Sequence, residues 1–189
     1  MPEITDLDWP RRTERLEVRP VDQADVETLW RIRRLPGVSR WMTWSDPGLA
    51  EYVERAQEPS WAAATLVVEL DGAVIGDLML RREDAWAQGE VVEQAVGVQA
   101  ELGWCLNPSV QGHGYATEAV ADLIAVAFEG LGLRRVTALC FAENDASWRL
   151  MERVGMRREA HNVQDALHSD GTWRDGYLYA MLADEWARG

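Results

Sequence analysis

"VQGHGYATEAVADLIAVAF", residues Val110–Phe128, sets two glycines and a glutamine directly before what reads as a long amphipathic helix. At a helix start the first four N–H groups lack intrahelical partners and the dipole end is positive, so a turn poor in side chains lets an anion reach the backbone. The apolar stripe Ala116, Ala119, Val120, Leu123, Ile124, Ala127 and Leu131 recurs at i, i+3, i+4 and gives the helix a core-facing side. A Walker A loop needs Gly-Lys-Ser/Thr, and all 19 basic residues of the chain are arginine. A dinucleotide fingerprint starting at Gly112 and Gly114 meets Thr117 where its third glycine belongs, and no run of alternating βαβ units surrounds it. A plain strand-to-helix turn that uses its glycines for geometry alone stays open on this stretch by itself.

Working outward, "VGVQAELGWCLNP" before the turn reads as a strand ended by Asn107-Pro108, because proline has no N–H for a ladder. After the helix, "RRVTALCF" is a strand and "ENDASWRLMERVGM" a capped helix with Gly155 where a left-handed C-cap belongs. "RREAHNVQDALHSDGTWRDGYLYAML" closes the chain as two strands about a polar turn at Ser169-Asp170-Gly171. Upstream, "TLVVEL-DG-AVIGDLMLRR" is two β-rich runs joined by Asp71-Gly72, a dipeptide that accepts the positive φ angles of a type I′ hairpin. Before it, "RLEVRPV" alternates as a half-buried strand, and Asp22 looks like the N-cap of a helix through Val26, Leu29 and Trp30 that stops before Pro36-Gly37. "VSRWMTWSDPG" is loop-like and "LAEYVERAQ" has helical spacing. The predicted order is strand, two helices, three strands, helix, strand, helix, two strands.

A chain of 189 residues, 47% hydrophobic, is long enough for one well-filled α/β core, and with no repeat or linker to divide it a single domain over 1–189 is expected. No apolar run approaches the roughly 20 residues of a membrane span, and the N-terminus is acidic and mixed rather than basic then apolar. A soluble, unprocessed, cytoplasmic protein is therefore expected. Cys105 and Cys140 are far apart and outside any C-x-x-C pair, so neither a disulfide framework nor a metal site is indicated. The formal charge of −13 would repel a nucleic-acid backbone and suits a cationic acceptor, or only secures solubility. A chain without lysine also has no pyridoxal Schiff base and no lysine nucleophile.

With the turn and its flanks in view, the sequence resembles the GCN5-related N-acetyltransferases (GNAT). Their motif Q/R-x-x-G-x-G/A is met by Gln111, Gly114 and Ala116, with Asn144 after the next strand and a Glu-Leu-Gly-Trp strand before the turn. The runs "AELGWCLNPSVQGHGYATEAV" and "ENDASWRLMERVGM", with "VSRWMTW" and "GTWRDGYLYAMLADEW", are similar to the RimJ/RimL-like branch that acetylates ribosomal-protein N-termini. The resemblance implies an α/β (α+β) fold, a mixed, mostly antiparallel sheet of six or seven strands flanked by four helices. It implies acetyl-coenzyme A as cosubstrate, its pyrophosphate on the backbone of Gln111, Gly112, His113, Gly114, Tyr115, Ala116 and Thr117. The strand ending Trp104-Cys105-Leu106 should splay from its neighbour and offer backbone to the pantetheine arm, with Asn144 also on the cofactor side. His113 is then a spectator whose backbone N–H is what the motif uses. Trp41 and Trp44 are candidates for lining the acceptor site or for covering the core.

Acyl transfer to an amine needs a neutral nucleophile, stabilisation of the oxyanion and a proton for the departing thiolate. Glu101 is the one acid in "VQAELGWCL" and the candidate base, with Asp77 on the preceding strand as runner-up. Residues 99, 101 and 103 share one strand face unless a bulge shifts the phase. The tyrosine that family members carry after this asparagine is missing between Asn144 and Gly155, and Ser147 makes Asn-x-x-Ser instead, a donor to the thiolate in the RimL-like branch and equally a helix-capping residue. Direct transfer in a ternary complex to a primary amine is expected, on a protein N-terminus or a small cationic molecule. Antibiotic acetylation, transfer of another acyl group, and a non-catalytic coenzyme A-binding module are the alternatives. Ten tryptophans, more than one small core readily hides, and analogy with the branch point to a homodimer.

Overall fold

The computed structural model describes residues 2–44 and 48–188. Its eight strands are β1 (Arg11–Arg12), β2 (Glu17–Pro20), β3 (Thr65–Leu70), β4 (Ala73–Glu83), β5 (Gln99–Leu106), β6 (Arg135–Phe141), β7 (Arg157–Leu167) and β8 (Trp173–Leu182). They form one sheet in the order β1-β2-β3-β4-β5-β6-β8-β7. Of the pairings with an assigned register only β5 with β6 is parallel, and parallel neighbours require a crossover connection. The strand count is eight rather than six or seven: "RR" is too short to show alternation, yet Arg11 and Arg12 pair with Val18 and Glu17.

Helices of two turns or more are α1 (Val26–Arg33), α3 (Leu49–Ala56), α5 (Tyr115–Ala125) and α6 (Asp145–Arg153). The shorter α2 (Pro36–Ser39), α4 (Pro59–Ala64) and α7 (Ala183–Trp186) have no long apolar stripe to announce them. α2 takes in Val38 and Ser39, which the sequence assigns to a loop, because Pro36 sits at a first helical position where its missing N–H costs nothing. Within "VSRWMTWSDPG", Ser45, Asp46 and Pro47 lie outside the described residues. No helix among the described residues is long and apolar enough to cross a membrane.

The described residues divide into two compact units, Ile4–Met79 with Trp104–Asp122, and Leu80–Gly103 with residues 2–3 and 123–188. In the first, Asp22 caps the turn Gln23–Asp25 that leads into α1, and Arg19 grips Asp25 through two bonds of 2.7 and 2.9 Å. Val26, Leu29, Tyr52, Ala56 and Val67 pack there as a core cluster. Asp71 and Gly72 adopt φ of 51° and 77°, the left-handed pair a tight β3–β4 hairpin needs. In the second unit, a π turn at Val126–Gly130 ends the α5 segment, and the buried Phe128 rests on Trp186. β7 is an edge strand, and its charged Arg157, Arg158 and Glu159 guard it against strand-to-strand association.

Candidate functional site

In the first unit the turn between β5 and α5 is held from its own residues. The Asn107 side chain accepts from Ser109 N at 3.0 Å, and Gln111 N donates to Pro108 O at 3.2 Å. Gly112 and Gly114 follow with φ of 83° and 84°, a conformation that L side chains rarely adopt, so the glycines are there for backbone shape. Among the described residues, the backbone N–H groups of Gly112, His113, Gly114, Tyr115 and Ala116 take part in no backbone hydrogen bond of the turn, whereas Glu118 N already closes onto Gly114 O at 3.1 Å. A run of unpaired donors at the positive end of an eleven-residue helix fits an anion of the size of a diphosphate. Gln111 to Thr117, all singled out from sequence, thus lie together at this helix start. The His113 side chain is exposed, its ring 5.8 Å from that of Tyr115.

Trp104, Cys105 and Leu106 end β5 in the same unit. Asn107 N donates to Ile75 O at 2.8 Å, and a Cβ on Gly76 would overlap the Cys105 carbonyl oxygen and stand 2.8 Å from Leu106 Cα. Only glycine permits β4 to come that close. The β5–β6 ladder comprises Gln99, Ala100 and Glu101 against Arg135, Val136 and Thr137 and ends there. Buried side chains along β5 are Ala100, Leu102 and then Cys105, so the alternation changes phase once within the strand.

Beneath this strand end the structure gathers polar groups that sequence reading did not connect. Asp77 is 1% exposed and pairs with Arg33 of α1, Nε to Oδ1 at 3.2 Å and Nη2 on Oδ2. The buried Tyr52 hydroxyl has no hydrogen-bond partner among the described residues. Burial, with the Asp77 charge added, pushes the Cys105 thiol up to about 12 and makes it inert. Trp44 stacks on Tyr52 at 6.1 Å under the Arg55 guanidinium, and Trp41 lies under Arg40 at 4.2 Å. Trp44 therefore packs against the core cluster, whatever else it does.

The second unit holds Glu101, Asn144 and Ser147. Glu101 pairs with Arg81, which also reaches Glu83 at 3.3 Å. Burial raises its carboxyl above the ordinary range, against the pull of Arg81, and a raised carboxylate is a better proton acceptor near neutrality. Asn144 is the N-cap of α6, its side chain accepting from Ser147 N at 3.3 Å. Ser147 is buried in the first turn, and burial pushes the Cys140 thiol up to about 11 against the pull of Ser147. The asparagine is thus the cap of the helix.

Sequence reading also missed the side chains behind the turn. Arg15 donates through Nη1 to His113 O and through Nε to Glu118, both at 2.8 Å, and its guanidinium lies 4.6 Å from the Tyr115 ring centre. Thr13 Oγ1 and Arg15 N both donate to Glu118 Oε1, at 2.5 and 2.8 Å. Nothing in "RRTERLEV" marks these as partners of a segment about a hundred residues away.

Comparison with known proteins supplies the family. Residues 15–157, which contain the turn, Glu101, Asn144 and Ser147, match the acetyltransferase (GNAT) domain. The chain is 36% identical over 117 residues, 61% of its length and 68% of the relative's, to an uncharacterized N-acetyltransferase, YnaD, of Bacillus subtilis. A crystal structure of a GNAT-family acetyltransferase from Bacillus anthracis is 27% identical with a TM-score of 0.76, covering 92% of this chain and 98% of that one. Mycobacterium smegmatis RimJ, solved in complex with CoA-disulfide, is 25% identical with a TM-score of 0.73, covering 90% and 83%. The eight-stranded sheet, the glycine turn at the head of α5 and this match over most of the chain agree, and the protein belongs to the GNAT family of acetyltransferases.

Proposed function

We propose that the protein transfers the acetyl group of acetyl-coenzyme A directly to a primary amine in a ternary complex, as the RimJ/RimL-like branch does. The acceptor is a protein N-terminus or a small cationic amine. The observation that carries this is the set of unpaired N–H groups from Gly112 to Ala116, shaped by two positive-φ glycines at the start of α5. They hold the diphosphate, and the backbone at Trp104, Cys105 and Leu106, past the end of the β5–β6 ladder, takes the pantetheine arm. The thioester is already activated, so positioning supplies much of the rate.

In this reading the amine nitrogen attacks the thioester carbonyl carbon, a C–N bond forms and the C–S bond breaks. Glu101 accepts the proton lost by the amine, directly or through water. Ser147 donates to the departing thiolate and is reprotonated from solvent. A serine hydroxyl is a weak acid, so its loss lowers turnover less than the loss of Glu101. The charge of −13 favours cationic acceptors. The test is intact-mass analysis after incubation with acetyl-coenzyme A and a mixture of amines, peptides and aminoglycosides. A mass gain of one acetyl group on a primary amine is expected. Hydrolysis alone, or no turnover with measurable coenzyme A binding, refutes the catalytic reading in favour of a binding module.

A further inference from the structure

We infer that Arg15 is a positioning residue for the donor, a latch that aims the turn's backbone at the diphosphate; this rests on the proposed reading of the turn. Between Arg82 and Arg134 the chain carries neither arginine nor lysine, so the stretch containing the turn brings no permanent positive charge to an anion. What this stretch itself offers an anion is built from peptide dipoles, and its strength depends on their direction. In a trans peptide the C=O and the following N–H point to opposite sides of the chain. Arg15 Nη1 binds His113 O at 2.8 Å, and that bond turns the Gly114 N–H to the face away from Arg15.

The latch is itself tied down. Glu118, one turn into α5, receives Arg15 Nε and Nη2 at 2.8 and 2.6 Å, together with Arg15 N and Thr13 Oγ1. Its side chain is 14% exposed against 40% for Arg15. The guanidinium therefore spans two fixed points, a carboxylate on the helix and a carbonyl in the turn. Arg15 Nη2 stands 3.4 Å from the place a Cβ on Gly114 would occupy, so it also walls the side of the turn away from the ligand. A planar fork holds separate donors in fixed directions and reaches both points at once, whereas the three donors of lysine all radiate from a single nitrogen.

The experiment compares coenzyme A, which has the diphosphate, with pantetheine, which lacks it. Dissociation constants for both are measured by calorimetry on the unmodified protein, Arg15→Ala and Arg15→Lys, with melting curves for each. Misaiming one hydrogen bond to a charged group should weaken coenzyme A about 10- to 100-fold in both variants and leave pantetheine unchanged. Should Arg15→Ala fail to fold, Arg15→Lys carries the same expectation. Equal weakening of both ligands, or full retention of the coenzyme A preference in a folded variant, overturns the latch. If the unmodified protein binds coenzyme A no better than pantetheine, the reading of the turn itself fails, whatever the variants do.

Discussion

Replacing Asp77 with asparagine keeps the volume of the side chain and removes its charge, which separates a counter-ion from a proton acceptor. Asp77 is 1% exposed, and both of its oxygens engage Arg33, whose side chain is 23% exposed. The variant leaves that guanidinium beside the Tyr52 hydroxyl and the Cys105 thiol, neither of which carries a compensating charge near neutral pH. Breaking a buried pair by removing one partner costs about 3–5 kcal/mol, and partial access of water to Arg33 places this case near ~3 kcal/mol. That is a large part of the ~5–15 kcal/mol of a typical domain, and in a chain of this size it lowers the melting temperature by roughly 6–12 °C. Urea unfolding followed by tryptophan emission should show an earlier midpoint with an unchanged slope. Adding Arg33→Met should cost less than the two single losses summed, with a coupling of about 1–3 kcal/mol. Turnover per folded molecule should stay close to that of the unmodified enzyme. A midpoint that does not move, or a folded Asp77→Asn protein whose turnover collapses, refutes the structural assignment and makes Asp77 the base.

Glu101→Gln should lower turnover about 10²–10⁴-fold at pH 7, partly rescued at higher pH where the free amine is abundant. Its stability should change by no more than about 1 kcal/mol, because the Arg81 partner is 55% exposed. The sign agrees: a carboxyl raised by burial favours the fold when protonated and weakens it as pH rises through its folded value, so the neutral amide relieves that penalty. Full turnover at pH 7 with an unchanged acidic limb would exclude Glu101. Asp25 behaves oppositely: burial opposes its charge, but the bonds from Arg19 and from Asp22 N hold its carboxyl below the ordinary range. Its contribution is present above about pH 4 and is lost as pH falls through the folded value, so Asp25→Asn should cost ~1–3 kcal/mol at pH 7 and flatten the acid limb of stability. An unchanged acid limb would show that the pair does not titrate with folding. A homodimer is expected in sedimentation at micromolar concentration, with Leu139, Val163, Leu167 and Trp173, all more than half exposed, as its candidate surface; a 21.3 kDa species alone would exclude it.

Much of the fold is legible in order along the chain because its signals are local. Asp71-Gly72 announces a hairpin, Gly155 a helix end, and the stripe from Ala116 to Leu131 a buried helix face, each within a few residues of itself. The turn at Gln111 to Thr117 is legible for the same reason, since the free N–H groups of Gly112 to Ala116 and the positive φ of its two glycines are properties of consecutive residues. What the sequence by itself determined is therefore the element order, the α/β class and the place of the glycine turn at the head of α5. β1 escaped it because two arginines carry no period, and α2, α4 and α7 because they are too short to show one. Tertiary structure alone decided that Asp77 is spent on Arg33, and that Arg15 reaches His113 and Glu118. An ion pair between residues 44 or 103 positions apart leaves no trace in spacing or propensity. Coulomb attraction and hydrogen bonding act over a few ångströms of space, and only the folded sheet and helices bring those ångströms about.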